Sequence, residues 1–189
     1  MYRFRSPCRS TPPCGPRGFT LHEMLVCLLV SGSLATGGVA MWSIVQENAL
    51  TVAANELMTH LALARSEAIT QRYRVTLCPT TDGMNCAKAG ADYTFWQHGW
   101  LVYRDKNVDR KPQAAEIVRV HPGAASRLVI RSSRARSSIT YHPIGNAGGA
   151  TITFAVCSPR DPVRARYVTV SNSGRARVSH TTTSNVTCG

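Results

Sequence analysis

The chain has little that could perform catalysis or hold a metal ion. Its six histidines are scattered along 189 residues, and neither paired histidines nor a Cys-x-x-Cys unit gives the spacing of zinc ligands. The glycine-rich run at residues 145–149 lacks the Lys-Ser/Thr pair of a phosphate-binding loop. In the polar run at residues 105–111, lysine and arginine separate the carboxylates, which disfavours a calcium loop. We therefore expect no enzymatic activity, no cofactor and no metal site.

Acidic residues are also scarce. The chain has 10 Asp and Glu against 22 Lys and Arg, a formal net charge of +12. Residues 120–189 contain nine arginines and only one acidic residue, Asp161. Guanidinium groups suit phosphate because their planar fork makes paired hydrogen bonds. This arginine-rich part predicts either contact with a polyanion or a solvated basic face that meets acidic neighbouring proteins.

Charge is almost missing from residues 19–45, where Glu23 is the only charged residue and proline does not occur. The run is longer than the roughly 20 residues that span a bilayer as a helix. Residues 1–18 carry four arginines and four prolines and end in Gly18, so we expect them to stay cytoplasmic while the C-terminal part crosses. An ordinary signal anchor is the alternative, but it leaves a costly intramembrane acid without a function.

Two kinds of periodicity follow this run. Residues 46–72 contain no proline or glycine, and their apolar residues recur every three or four positions, which predicts an amphipathic continuation of the helix. The predicted core positions are Leu50, Ala53, Ala54, Leu57, Leu61, Ala64 and Ile69. In residues 73–189, short β-type runs alternate with turn residues, at 73–78, 93–103, 116–121, 127–131, 138–141, 151–157, 166–171 and 176–180. One long helix followed by antiparallel strands indicates an α+β fold.

Four cysteines fall in the part expected outside the membrane: Cys78, Cys86, Cys157 and Cys188. An even number in an oxidising compartment favours disulfides, and three pairings are possible. We favour Cys78–Cys86, which closes a short loop, and Cys157–Cys188, which ties the C-terminal end to a strand. A zinc site is the alternative, although the spacing does not support it.

The segment Gly18-Phe19-Thr20-Leu21-His22-Glu23-Met24-Leu25 resembles the type IV prepilin class of pilins and pseudopilins. The resemblance implies that prepilin peptidase cuts after Gly18 and that the new N-terminal Phe19 is methylated. It also implies that Glu23 docks subunits into a filament anchored in the inner membrane, with the C-terminal domain in the periplasm. Residues 1–18 are then the cleaved leader and residues 19–45 the transmembrane and filament-core helix.

Five runs in the helix and the following domain resemble the GspH/FimT group of minor pilins. They lie at residues 61–69, 75–78, 99–105, 151–157 and 167–177, so the likeness covers most of residues 18–180. It implies a pilin fold, in which the long helix packs on the antiparallel sheet. It also implies a minor pilin that assembles with other pilins into a type IV pilus. A minor pseudopilin of a type II protein secretion system is the first alternative, and a DNA-uptake receptor of natural transformation is the second.

One short element bears on the choice. Gly174-Arg175-Ala176-Arg177 resembles the Gly-Arg-x-Arg element that FimT-type pilins of competent bacteria use for DNA, and Arg164 and Arg166 are nearby candidates. On a strand, residues two apart point to the same face. Because aromatic residues for base stacking are few, binding to double-stranded DNA is expected to be sequence-independent and salt-sensitive. A solvated basic face is the simpler alternative.

Overall fold

The computed structural model describes residues 18–123, 128–133, 135–149 and 151–181, together with Val186 and Cys188. Within the helix and strands, the side chains of residues 34–44, 162 and 163 are outside this description. The predicted leader falls outside it except for Gly18. The chain divides into two compact units, Met1–Trp42 and Ser43–Gly189.

Among the described residues, one α-helix, α1, spans Leu21–Gln71 and so matches the helix predicted over residues 19–72 to within two residues at each end. Along its first turns, the apolar side chains of Leu21, Met24, Leu28 and Leu29 are 57 to 83 % exposed. Among the residues described, no helix has a stretch of 18 residues that is apolar enough to cross a membrane. The membrane-spanning role of residues 19–45 stays a prediction.

In the second unit, α1 turns one face into the core. Six of the seven predicted core positions are buried, but Ile69 is 48 % exposed. Ala68 is fully buried in its place. It follows Leu61 and Ala64 by seven and four residues, and so continues their face of the helix. The prediction of Ile69 as a core residue is wrong.

Nine strands are found among the described residues, and all their pairings are antiparallel. They are β1 (Arg74–Pro79), β2 (Tyr93–Phe95), β3 (Trp100–Asp105), β4 (Ile117–His121), β5 (Val129–Ser133), β6 (Ile139–Tyr141), β7 (Ile152–Ser158), β8 (Asp161–Val170) and β9 (Ala176–Ser179). A short 3-10 helix, Ala114–Glu116, precedes β4. The first sheet has the order β4-β3-β1-β6 and the second β2-β5-β7-β8-β9. The α+β fold with antiparallel sheets is confirmed.

The strand predicted over residues 93–103 is wrong as a single element. The structure divides it between β2 in one sheet and β3 in the other. Gly99 lies between them with φ +130°, and a Cβ there would come within 2.5 Å of the carbonyl oxygen of His121. Since only glycine tolerates this conformation and this close approach, the chain can change sheets here. The flanking Trp96 and Trp100 are both fully buried.

The main core of the second unit lies between α1 and the inner faces of the sheets. Leu57 and Leu61 of the helix join Val75, Ile130 and Phe154 of the strands, and all five are fully buried. Alternate strand residues face this core because successive side chains point to opposite faces of a sheet. The unit Ser43–Gly189 therefore contains the described hydrophobic core that stabilises it.

Two disulfides lie in the second unit. Cys78 is bonded to Cys86, and Cys157 to Cys188, as favoured from the sequence. The predicted pairing is thereby confirmed. Cys157 also packs in a small cluster with the buried Val186, so this bond holds the C-terminal segment on the outer face of the second sheet.

Candidate functional site

The predicted processing and assembly residues stand at the start of α1. Gly18 and Phe19 precede the helix and are exposed, as is Glu23 in its first turn. Thr20 Oγ1 accepts a hydrogen bond from the backbone N–H of Glu23 at 3.3 Å. In return, Glu23 Oε2 accepts from the backbone N–H and the hydroxyl of Thr20, at 2.9 and 3.0 Å. This reciprocal pair is a capping box, which satisfies otherwise free donors at the helix start.

The capping box was missed in the sequence prediction, although its signal is visible there. Thr20 and Glu23 have the Ser/Thr-x-x-Glu spacing of the motif, directly before an apolar run. Glu23 thus has a local structural role in addition to any role in assembly. An experiment on its charge must separate the two.

Gly174 occupies a position in the β8–β9 turn that a larger residue cannot fill without distortion. Its φ is +77°, and a Cβ there would collide with the carbonyl oxygen of Gly145. The N–H of Gly174 donates to the carbonyl of Ser171 at 2.8 Å, and the N–H of Ser171 donates to the carbonyl of Arg175 at 3.0 Å. These bonds close a tight turn that fixes where the arginines begin.

The same turn is held by two neighbouring elements. The N–H of Ala147 donates to the carbonyl of Asn172 at 3.0 Å, which connects the turn to the loop before β7. From α1, Arg65 Nη2 donates to the carbonyl of Ser173 at 3.2 Å. The turn is therefore anchored from both sides.

Arg175 and Arg177 are both exposed, and both line an open groove of about 730 Å³ between α1 and the β8–β9 turn. The other wall is mainly apolar and includes Met58, Leu61 and Ala62 of the helix. The predicted pair of arginines is therefore brought together on one surface. Between them, Ala176 is in register with the core residue Val170 and packs against the main core, so the neighbouring arginine side chains point to the opposite, solvent-facing side of the sheet.

Two further polar groups line this groove, and the sequence prediction did not include them. The buried hydroxyl of Tyr141 and the buried Nε of Arg65 have no hydrogen-bond partner among the described residues. Burial raises the pKa of Tyr141 to about 12, while the positive charge of Arg65 acts in the opposite direction. Both groups are donors at neutral pH, but both atoms are buried, so an anion in the open groove does not reach them without a local rearrangement.

The other two predicted arginines are placed elsewhere. Arg164 is exposed but pairs with Asp161 at 3.2 Å. Arg166 is only 9 % exposed, and its Nη2 lies 3.3 Å from Oε1 of Glu47. Arg166 alternates with outward-facing neighbours along β8, so its side chain points to the helix side of the sheet. Neither residue lines the groove, and Arg166 has little surface to offer a phosphate.

Comparison with known proteins identifies relatives of this fold. The family model described as type II transport protein GspH matches residues 53–174. A search of curated proteins finds no match.

Three solved structures resemble this chain to different degrees. A crystal structure of the type IV minor pilin FimU of Pseudomonas aeruginosa aligns with a TM-score of 0.59 and 25 % sequence identity, covering 76 % of this chain and 98 % of that one. A second crystal form of FimU gives a TM-score of 0.56 at 24 % identity, with 74 % and 100 % covered. The minor pseudopilin EpsH of the Vibrio cholerae type 2 secretion system aligns at a TM-score of 0.49 and 12 % identity, with 69 % and 96 % covered.

Proposed function

Because the chain belongs to the family of the type II transport protein GspH, we propose that it is a minor pilin that is built into a type IV pilus. The observation that carries the proposal is the exposed apolar start of α1, where Leu21, Leu28 and Leu29 are each 70 to 83 % accessible. Apolar surface of this extent is unfavourable in water and needs lipid or neighbouring subunits to cover it. The likeness to a minor pilin over three quarters of the chain supports the same reading.

Processing at Gly18 is the first step of the proposal. Prepilin peptidase removes residues 1–18 at the inner membrane, and Phe19 becomes the methylated N-terminus of a helix held in the bilayer by residues 19–45. The exposure of Gly18 and Phe19 ahead of the helix supports access to the bond between them. Mass spectrometry of the protein extracted from membranes tests this step. A chain that still begins at Met1 in cells with active peptidase contradicts it.

The role of Glu23 is tested by separating its charge from its capping function. Glu23→Gln removes the charge but keeps a side chain that can close a capping box. Thr20→Val removes the capping hydroxyl and leaves the charge. We expect Glu23→Gln to be lost from sheared filaments, while Thr20→Val is still incorporated. If Thr20→Val is lost and Glu23→Gln is retained, Glu23 acts as a cap and the assembly role is wrong.

The alternative is a minor pseudopilin of a type II secretion system, which is favoured by the description of the matching family as a type II transport protein. A deletion strain distinguishes the two when twitching motility, natural transformation and release of exoproteins are measured separately. Loss of motility with normal exoprotein release supports the pilus. The reverse pattern supports the secretion system, and an isolated loss of transformation supports a DNA-uptake receptor.

DNA contact is the finer part of the proposal, and Arg175 and Arg177 are its candidate residues. Their exposure two residues apart at the β8–β9 turn, without an ion pair to any described residue, supports contact with phosphates. For the full chain in nonionic detergent, we expect Arg175→Gln/Arg177→Gln to weaken filter binding of duplex DNA. The slope of log affinity against log salt should fall by about 2.

A matched control carries the same charge change elsewhere. Arg119 and Arg160 are exposed and lie outside the groove, so Arg119→Gln/Arg160→Gln should change DNA affinity much less. Equal losses in the two double variants indicate attraction by net charge alone. In that case the assignment of DNA contact to the groove fails.

A further inference from the structure

The first sheet has a second face, turned away from α1. Along β1, Val75 and Leu77 point into the main core, whereas Arg74, Thr76 and Cys78 point to the opposite side. Loops cover this outer face and leave a pocket of about 530 Å³ on it. The pocket is separate from the groove, because the two share no lining residue.

The floor of the pocket is a row of polar side chains from three adjacent strands. Thr76 of β1 is in register with Tyr103 of β3 on one side and with Thr140 of β6 on the other. The hydroxyls of Thr76 and Thr140 are 2.8 Å apart and share a hydrogen bond. Ser137 and Ser138 add two more hydroxyls at the wall. This lining offers several hydrogen-bond donors in one place.

Three arginines also line the pocket, Arg74, Arg110 and Arg136. None of the three makes a side-chain hydrogen bond or ion pair with a described residue. The one carboxylate in the lining is Asp105, which is 2 % exposed and accepts the backbone N–H of Arg110 at 3.3 Å. Counted over the lining residues, the pocket keeps a positive excess of two charges, and the carboxylates of Asp109 and Glu116 also act on Tyr103 at its floor.

We propose that this pocket binds a compact phosphate group. Phosphate carries about −1.5 to −2 charges near neutral pH, which matches the excess, and its several oxygens accept from guanidinium forks and hydroxyls together. A carboxylate would leave one positive charge without a partner. Because the three arginines line one concave pocket of limited volume, the site fits a terminal phosphate better than a continuous nucleic-acid backbone.

Titration of the full chain in nonionic detergent tests the proposal, with inorganic phosphate as the probe and isothermal calorimetry as the readout. We expect saturable binding to one site. Arg110→Gln/Arg136→Gln should weaken it about tenfold or more, since charged hydrogen bonds are lost. Arg136→Lys should weaken it less, because a lysine keeps the charge but not the fork.

The control is Arg119→Gln/Arg160→Gln, which removes two charges outside the pocket and should change phosphate affinity less than twofold. The proposal is overturned by an absence of saturable binding, by equal weakening in the control, or by acetate binding as tightly as phosphate. It is also overturned if Arg110→Gln/Arg136→Gln weakens binding of duplex DNA while free phosphate does not bind. Arg175 and Arg177 lie outside the pocket, so their variants report on DNA contact independently.

Two further arms identify the source of the phosphate. Mixed micelles of the same detergent with phosphatidic acid present a terminal phosphate on a lipid, and mixed micelles with phosphatidylglycerol present a phosphate diester that carries a single negative charge. If phosphatidic acid competes with inorganic phosphate and phosphatidylglycerol does not, the ligand is a lipid headgroup. If neither competes, the ligand is a free phosphate or a small phosphate ester. Both outcomes support a phosphate pocket.

Discussion

Replacing Gly174 by alanine tests whether the arginine turn depends on close backbone packing. Gly174 has φ +77°, and an added Cβ would meet the carbonyl oxygen of Gly145 and lie 3.1 Å from Cε1 of Tyr141. Gly83 is the matched control, because its φ is +74° and its Cβ would meet only Cγ1 of Val120, at 3.3 Å. Both variants carry the same backbone strain, but only Gly174→Ala must also displace backbone.

The expected effects follow from these contacts. Left-handed backbone costs an alanine about 1–2 kcal/mol, which is the whole effect expected for Gly83→Ala. Gly174→Ala should lose about 1–3 kcal/mol more, as overpacking usually does. For a unit of this size the extra loss lowers the melting temperature by about 2–12 °C relative to Gly83→Ala. Thermal unfolding of Ser43–Gly189, followed by circular dichroism, gives both values.

Equal melting temperatures for Gly83→Ala and Gly174→Ala would refute the steric argument. The turn could then accommodate the added methyl group of Gly174→Ala without loss of stability. A loss in both that is close to zero would also contradict the left-handed strain. If only Gly174→Ala is destabilised strongly, the position of Arg175 depends on the packing beneath it.

Five other substitutions test the fold in three comparisons. Cys157→Ser should lower the free energy of unfolding by about 3–4 kcal/mol and Cys78→Ser by about 2–3 kcal/mol. The difference is expected because Cys157–Cys188 closes a longer loop, with a sequence separation of 31 residues against 8. Urea unfolding measures both values, and the reverse order contradicts the loop model. Tyr141→Phe should unfold no more easily than the parent at pH 7, because it removes a buried hydroxyl without a partner. The parent should lose stability as pH rises from the unfolded pKa of 10 through the folded value of about 12, and the variant should lose less. Ala68→Val should overpack the contact between the helix and the sheets and lower the free energy of unfolding by about 1–3 kcal/mol. Ile69→Ala, at a half-exposed position, should lower it by under about 0.5 kcal/mol. Similar melting temperatures for the two variants would contradict the placement of these residues.

The helix and most strands could be predicted from the sequence because their periodicity is local. α1 has no proline along its length, and apolar residues mark its core face from Leu50 onward. Element ends were less well predicted. β8 begins at Asp161, five residues before the prediction, and β5 begins at Val129, while residue 127 lies outside the described residues. Pairing with β7 extends β8, and such pairing depends on residues distant in sequence.

The division of residues 93–103 between two sheets could not be predicted from the alternation of apolar and polar residues. It depends on the carbonyl of His121, which is near Gly99 only after β3 and β4 have paired. The pairing of Arg166 with Glu47 could not be predicted for the same reason: 119 residues separate the two in sequence, and they meet only in the folded chain. Composition identified a basic C-terminal part, but burial decides which of its arginines face the solvent.

The position of β9 has a consequence for handling the protein. Among the described residues it forms the outer edge of the second sheet, next to β8, and it is only four residues long. An open strand edge can pair with another molecule, and natural proteins prevent this with short, charged edges. The charge of the exposed Arg177 therefore also disfavours pairing of this edge with a second molecule. Glutamine variants at this edge should be checked by light scattering, and valine at Arg177, beside the exposed Val178, should favour sheet-to-sheet aggregation.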